Sequence, residues 1–391
     1  MQEKNIFSTG VSSAPSASEA VEEAYEQAIR RLYGKPALMI CYASYTKYPN
    51  PYKLEGALRS VSGGAPFIGV STAGEYAQGE AYTGSLVLAL LSDKAFRATV
   101  AAAEAAQDDP GRAGERLASR LPGRGIVLLH SAPGREEELL YSLRTRMPPD
   151  LLLVGGSSGD DFQLKPPLGY QVSSEASGSG IAVAASIESM TRMIVVGGHA
   201  CTPTGSYGVA TSVAGVRGER LVEIDSRDAV EVYASWIGEE VGRVEAEMLS
   251  LGLANPLAVY DPVTGRPYIK HPAFAKKGEG ITCFASIPAK QTIHLMRHDR
   301  ERAVNLPAEL AREAERKLGR EAAGALLIHC AGAAAYIGEE GRRSLAAKLS
   351  EALRAPFAGL AAYGEQWGYY DYGVWPAHNN LTAALLIFTK P

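Results

Sequence analysis

Three times along the 391-residue chain the same order of residues returns, and a repeat of this kind limits the fold more than any single motif. Three segments read as apolar strands that end in small or polar residues: ALMICYAS, GIVLLHSA at 125–132 and GALLIHCA at 324–331. A helix with one apolar stripe precedes each strand. The first starts after Ser16, which with Glu19 has the spacing of a capping box, and carries Val21, Tyr25, Ala28 and Leu32 on one face. The second carries Ala113, Leu117 and Leu121; the third carries Leu310, Ala314 and Leu318, with Asn305 as its expected cap. A further helix follows each strand, read from Leu54, Leu58 and Val61, from Leu140, Leu143 and Met147, and from Leu345, Leu349 and Leu353. Then comes a short strand breaking into a Gly/Ser/Ala loop with an acid: PFIGVSTAGE, LLVGGSSGDD and PFAGLAAYGE, which set Glu75, Asp160 and Glu365 at matching places. A last strand closes each unit, in GSLVLALL, GSGIAVAASI and NNLTAALLIF.

An α-β-α-β-β module used three times predicts an α/β fold of mixed sheets packed with helices, in two halves. Residues 1–200 hold two modules; residues 201–391 hold the third, plus meander strands in GRPYIKHPAF, GITCFASIP and TIHLMRH. Lys and Arg number 39 against 43 Asp and Glu, so the basic surplus of a nucleic-acid binder is missing. Cys41, Cys201, Cys283 and Cys330 lie far apart, without zinc-ligand or haem-attachment spacing, and are expected to be free thiols in a reducing cytoplasm. The first twenty residues carry no apolar signal, and runs such as SLVLALL are too short to cross a bilayer. A soluble cytoplasmic protein without membrane insertion or a metal centre is expected.

The third module departs from the other two between its last strands. Residues 363–380 gather an acid, an imidazole, amides and aromatics in one strand-loop-strand segment. Glu365, His378 and Asn380, with Asn379 and Thr382, are expected to fix a polar ligand, and Trp367, Tyr369, Tyr370, Tyr372 and Trp375 to wall it. The bland alternative makes the asparagines turn residues and the aromatics core. Cys330, after His329 at a strand end, faces the crevice that ligands favour in open α/β sheets. As a nucleophile it would need a base, with His329 or His378 the local suggestions. His130 and Ser131 repeat the pattern in the second module, which favours an architectural role. GGSSGDD lacks the lysine of a phosphate loop, so Ser157, Asp160 and Asp161 are expected to line the cleft between the halves. RHDRERAV reads as a solvated face.

VGGSSGDD, GHACTPTG followed by LVEIDSRDAVEVYASWIG, IHCAG, and YGEQ followed by HNNLT occur in the order and approximate spacing of FIST-domain proteins. The chain resembles that family over nearly its whole length, with its N-terminal and C-terminal FIST halves. Two departures stand out: alanines at 333–335 replace the usual arginine after the family's cysteine, and the turn between Glu365 and His378 is longer and richer in aromatics. The resemblance implies an intracellular sensor of a small molecule, amino acids among the proposals. It also implies a signal passed in trans, to a histidine kinase or a cyclic-dinucleotide enzyme, with a homo-oligomer as a further expectation. Some members bind haem and sense nitric oxide, which makes His199 and His378 the candidate axial ligands; no cofactor is otherwise expected. Ligand binding is expected to shift the arrangement of the halves. A cysteine-dependent hydrolase or transferase using Cys330 is the enzymatic alternative.

Overall fold

The computed structural model describes residues 5–373 and 375–391, and of Tyr372 the backbone alone. Helices begin where local side chains satisfy their first N–H groups. Ser16 Oγ accepts the Glu19 N–H at the head of Ala17–Ile29, and Glu19 accepts the Ser16 N–H in return. Asn50 and Asp109 cap Pro51–Ser62 and Pro110–Arg120, each with proline in the first helical position. In the third module the leading helix starts earlier than expected, at Arg300, because Asp299 accepts the Arg302 N–H at 2.9 Å. Asn305 is inside that helix, where its Oδ1 takes the Lys348 ammonium at 2.6 Å. The next helix, Ala331–Leu353, follows Cys330 with no connecting loop and breaks its path at Gly338, whose φ of 74° suits glycine.

Each module has one strand more than the sequence pattern gave, at its front: Phe7–Ser12, Phe96–Ala103 and Met193–His199. The three modules then build the same four-stranded order, leading strand, closing strand, first strand, second strand, in which only the last pair is parallel. In the first sheet these are Phe7–Ser12, Leu86–Ser92, Pro36–Ser44 and Phe67–Thr72. The second sheet uses Phe96–Ala103, Ala182–Ser189, Ile126–Ser131 and Leu152–Gly156; the third uses Met193–His199, Thr382–Thr389, Ala322–Cys330 and Phe357–Ala362.

The hairpin that leaves each module after its second strand does not complete its own sheet. Glu75–Ala77 and Glu80–Tyr82, from the first module, pair onto Phe357–Ala362 of the third sheet. Gln171–Ser173 and Ser177–Gly178, from the second, pair onto Phe67–Thr72 of the first. Glu365–Trp367 and Ala377–Asn379, from the third, pair onto Leu152–Gly156 of the second. The exchange runs in a circle and covers an edge that each sheet would otherwise leave unpaired.

Packing explains why the strands read as continuous apolar runs rather than alternating ones. Leu38, Ile40 and Tyr42 point to one core, and Met39, Cys41 and Ala43, between them, point to another. Ile126 and Leu128 part from Val127 and Leu129 in the same way, as Leu326 and Ile328 do from Leu327. The inward sets of all three sheets form a single cluster, while each outward set packs on the helices of its own module. At its heart the Phe388 ring lies 5.6 Å from Phe7 and 5.1 Å from Phe96, one phenylalanine from each sheet. Gly324 makes room for this, since a Cβ there would lie 2.2 Å from the Phe7 ring.

Residues 201–298 are inserted between the third module's leading strand and its helix. They form an eight-stranded sheet in which Cys201–Ala214 pairs with Thr292–His298 and with Arg220–Ile224, packed by helices Ala229–Ile237 and Val241–Ala254. Among the described residues no helix is long and apolar enough to cross a membrane. Because the three sheets share Phe388, Phe388→Ala is expected to lower stability by about 3–5 kcal/mol. Denaturant unfolding followed at tryptophan and by circular dichroism should keep one transition; two would mean that the modules unfold separately.

Candidate functional site

A cavity of about 360 Å3 lies where the second module, the third module and the inserted sheet meet. From the third module come Cys330 and Gly332 at the strand-to-helix junction, with Tyr363, His378 and Asn380 from the exchanged hairpin and its flanks. The second module supplies Glu136 and, from its 157–170 loop, Phe162, Leu164 and Leu168. Leu249, Leu253, His271, Cys283 and Phe284 line it from the insert, together with the charged Arg217 and Glu219. Few polar groups stand among many apolar ones, the usual composition of a small-molecule site. A larger depression of about 540 Å3, between helices Pro110–Arg120 and Glu136–Arg144, is an open trough whose charged residues Arg146 and Glu115 already pair with each other.

The insert is held over this cavity by polar ties. Ser286 donates its N–H and hydroxyl to Glu137, and the buried Lys270 ammonium lies 3.7 Å from the same carboxylate. Burial opposes the charge on Glu137, but Lys270 and the hydrogen bonds from Ser286 hold it below the ordinary carboxylate range. Burial likewise lowers Lys270, with Glu137 opposing. The His271 N–H donates to Asn380 Oδ1 at 3.2 Å and so joins the insert to the hairpin.

The residues singled out from the sequence divide into three places. His378, Asn380 and Cys330 line the cavity together. Glu365 stands behind Cys330, fully buried; its Oε2 accepts the Thr382 N–H at 3.2 Å and hydroxyl at 2.9 Å, while Oε1 makes no hydrogen bond. Burial, and then the nearby Glu365, push the Cys330 thiol well up, although the N–H groups of Gly332, Ala333 and Leu381 face its sulfur. A thiol held protonated is a poor nucleophile. His329 does not serve as its base, since its Nδ1 pairs with the Tyr76 hydroxyl at 2.9 Å and burial takes the ring down to about 3.

The second group acts one step away. Ser157 donates to Glu136 Oε1 at 2.6 Å and accepts from Gln366 Nε2 at 3.0 Å. Asp160 accepts from the Tyr363 hydroxyl and from the Lys165 N–H. Asp161 accepts from the hydroxyls of Ser44 and Thr46, both at 2.8 Å, and so pins its loop to the first module. The third group does not line the cavity. Trp367 is core, its indole N–H donating to Thr382 Oγ1 at 3.0 Å and its ring lying flush on Gly197. The Tyr370 hydroxyl accepts the Leu153 N–H at 2.9 Å, and Tyr369 donates to the Pro267 carbonyl at 3.1 Å. Trp375 packs on the second module's helix-facing core, and the side chain of Tyr372 lies outside the described residues. The aromatics thus secure the exchanged hairpin.

Haem would need an imidazole nitrogen free toward an open slot. His199 Nδ1 accepts the Cys201 N–H at 3.1 Å and its ring does not line the cavity. His378 is hemmed between Gly364, Glu136 and Asn380. Glu136 and Asn380 thus face both ring nitrogens of His378, and His199 stands apart from the cavity. Glu136 and His271, by contrast, carried no sequence signal: Glu136 opens a run of three glutamates that reads as the first turn of a helix, and nothing local marks the one that turns inward.

The three modules allow an internal comparison. Glu75 and Glu365 open their hairpins and face a hydroxyl at the start of the closing strand, Ser85 or Thr382. In the second module the 157–170 loop postpones the hairpin, so Gln171 takes that position in place of Asp160; both ends of its amide are buried without a hydrogen bond. Burial lifts Glu75 from 4.5 to about 7, against the hydrogen bonds from Ser85 and Thr72. A carboxyl with a raised folded value adds stability that is full below about 4.5 and is lost as pH rises through about 7. Glu75→Gln is therefore expected to gain roughly 2–3 kcal/mol relative to the parent between pH 5 and pH 8. Urea unfolding at the two pH values checks this, and a pH-independent difference would contradict it.

The pattern of the FIST N domain matches residues 37–227 and that of the FIST C domain residues 229–367. No curated protein matches the chain. With the two patterns adjoining in the expected order over most of its length, the chain belongs to the FIST family, a sensory and signal-transduction family with small-ligand binding.

Proposed function

We propose that this chain is a sensor that binds one small, largely apolar molecule in the 360 Å3 cavity and reports it to a separate signalling protein. One observation carries the proposal: three distinct parts of the chain converge on a single space with apolar walls and a cluster of hydrogen-bonding groups at its inner end. Binding rather than chemistry is favoured by the protonated, buried state of Cys330.

A movement of one half against the other is hard to reconcile with the circular exchange of hairpins, which ties the halves together. The part free to respond is the inserted sheet, joined at the cavity by the Glu137 and Asn380 ties. A ligand touching both Leu253 and His378 favours the closed seating of that sheet, a population shift between placements. The exposed Phe162, Leu164, Phe274 and Phe284 at the cavity are the surface on which a partner would read the change.

A thermal-shift screen of apolar metabolites and amino acids tests the proposal. A ligand at a hundredfold excess over its Kd should add about 2.7 kcal/mol of stability. Ala335→Phe, at an exposed helix position that lines the cavity, should fold and weaken the shift. Shifts that persist unchanged in Ala335→Phe would place binding elsewhere.

A further inference from the structure

Resting on that ligand site, we propose that the inner end of the cavity selects a hydroxyl group, so that the ligand is an apolar alcohol or phenol held between His378 Nδ1 and Glu136 Oε1. Asn380 fixes the chemistry of the site. Its Oδ1 accepts the His271 N–H at 3.2 Å, so its other terminal atom is the nitrogen. That nitrogen donates one hydrogen to the Asn379 carbonyl at 3.0 Å and the other to His378 Nε2 at 3.3 Å. His378 Nε2 is therefore an acceptor, and the proton of the neutral ring sits on Nδ1.

This Nδ1–H makes no hydrogen bond. Opposite it, 3.9 Å away, is Glu136 Oε1, an acceptor already engaged by the Ser157 hydroxyl at 2.6 Å. Glu136 Oε2 accepts the Gly134 N–H at 2.7 Å, which orients the carboxyl. His378 is 4% exposed and Glu136 3%, and both line the cavity. A donor and an acceptor thus face each other across a gap too long for a direct bond and short enough for one bridging atom, about 2.7–3.0 Å from each.

The bridging atom must accept one hydrogen bond and donate another. A hydroxyl oxygen does both. An ammonium has no lone pair for His378, and a carboxylate has no hydrogen for Glu136 and adds a second acid beside it. A water would find these two partners, fewer than the three that buried waters usually hold. Gly364 packs without a side chain against this corner: a Cβ there would stand 2.3 Å from His378 Cε1, 2.9 Å from Nδ1 and 3.1 Å from Glu136 Oε1. Beyond the gap, Leu249, Leu253 and Phe284 offer the ligand's body an apolar surface.

Calorimetry with 2-naphthol, naphthalene and 2-naphthoate separates the outcomes. The native chain is expected to bind 2-naphthol about tenfold or more tightly than naphthalene, with 2-naphthoate no better than naphthalene. In His378→Phe, and in Gly364→Ala, whose Cβ would push the His378 ring from its seat, that preference should shrink to within about threefold, and in His378→Phe naphthalene should still bind. Equal binding of 2-naphthol and naphthalene by the native chain overturns the hydroxyl assignment and leaves a plain apolar cavity. Preference for 2-naphthoate overturns it in favour of an anion site. No binding of any of the three removes the ligand site itself.

Discussion

Three β-sheets, each apolar on both faces, have to find cover for six surfaces, and their own helices cover only three. The other three cover one another around Phe7, Phe96 and Phe388. Nearly everything else follows from this. A single module would expose its inward face of residues such as Leu326 and Ile328, so no module is a stable unit by itself. The exchanged hairpins add backbone hydrogen bonds to what side-chain burial alone would leave as a loose meeting of three faces.

Within this near-repetition the site arises from broken symmetry. The first two modules put a loop between the strand ending in Ser44 or Ser131 and the following helix; the third starts its helix at once and leaves Cys330 at a bare junction. Only the third carries the insert between leading strand and helix, and the insert roofs that junction. The second module contributes its lengthened loop, which Asp160 and Asp161 anchor to Tyr363, Ser44 and Thr46, so that Phe162 and Leu164 stay at the cavity. The acids serve the site by holding its wall.

Local order was legible in the sequence because local chemistry decides it. Ser16, Asn50 and Asp109 mark helix starts through bonds to neighbours two or three residues away, and the apolar runs mark strands. FIST membership and the mixed α/β class were legible for the same reason: they rest on motifs and their order. The hairpin exchange was not legible, since Glu365–Trp367 looks the same whether it pairs within its module or with Leu152–Gly156. The aromatics of 367–375 look like a pocket wall in sequence, and only packing shows that Trp367 lies on Gly197 in the core while Tyr369 and Tyr370 are tied to Pro267 and Leu153. His378, Asn380 and Cys330 were found because they cluster near strand ends; Glu136 and His271 were missed because the residues they meet at the cavity, His378 and Asn380, belong to the third module.

The circular exchange also bears on how the chain divides. A cut near residue 228, between the two matched stretches, leaves the second sheet without the hairpin 365–379 and the third without both the hairpin 75–82 and its leading strand Met193–His199. Each fragment would then present an open strand edge and carry, unused, the ribbon that closes the edge of the other. The two halves are thus less like beads on a string than like the parts of a split protein, whose complementation would be coded in the reciprocal edges of Leu152–Gly156 and Phe357–Ala362.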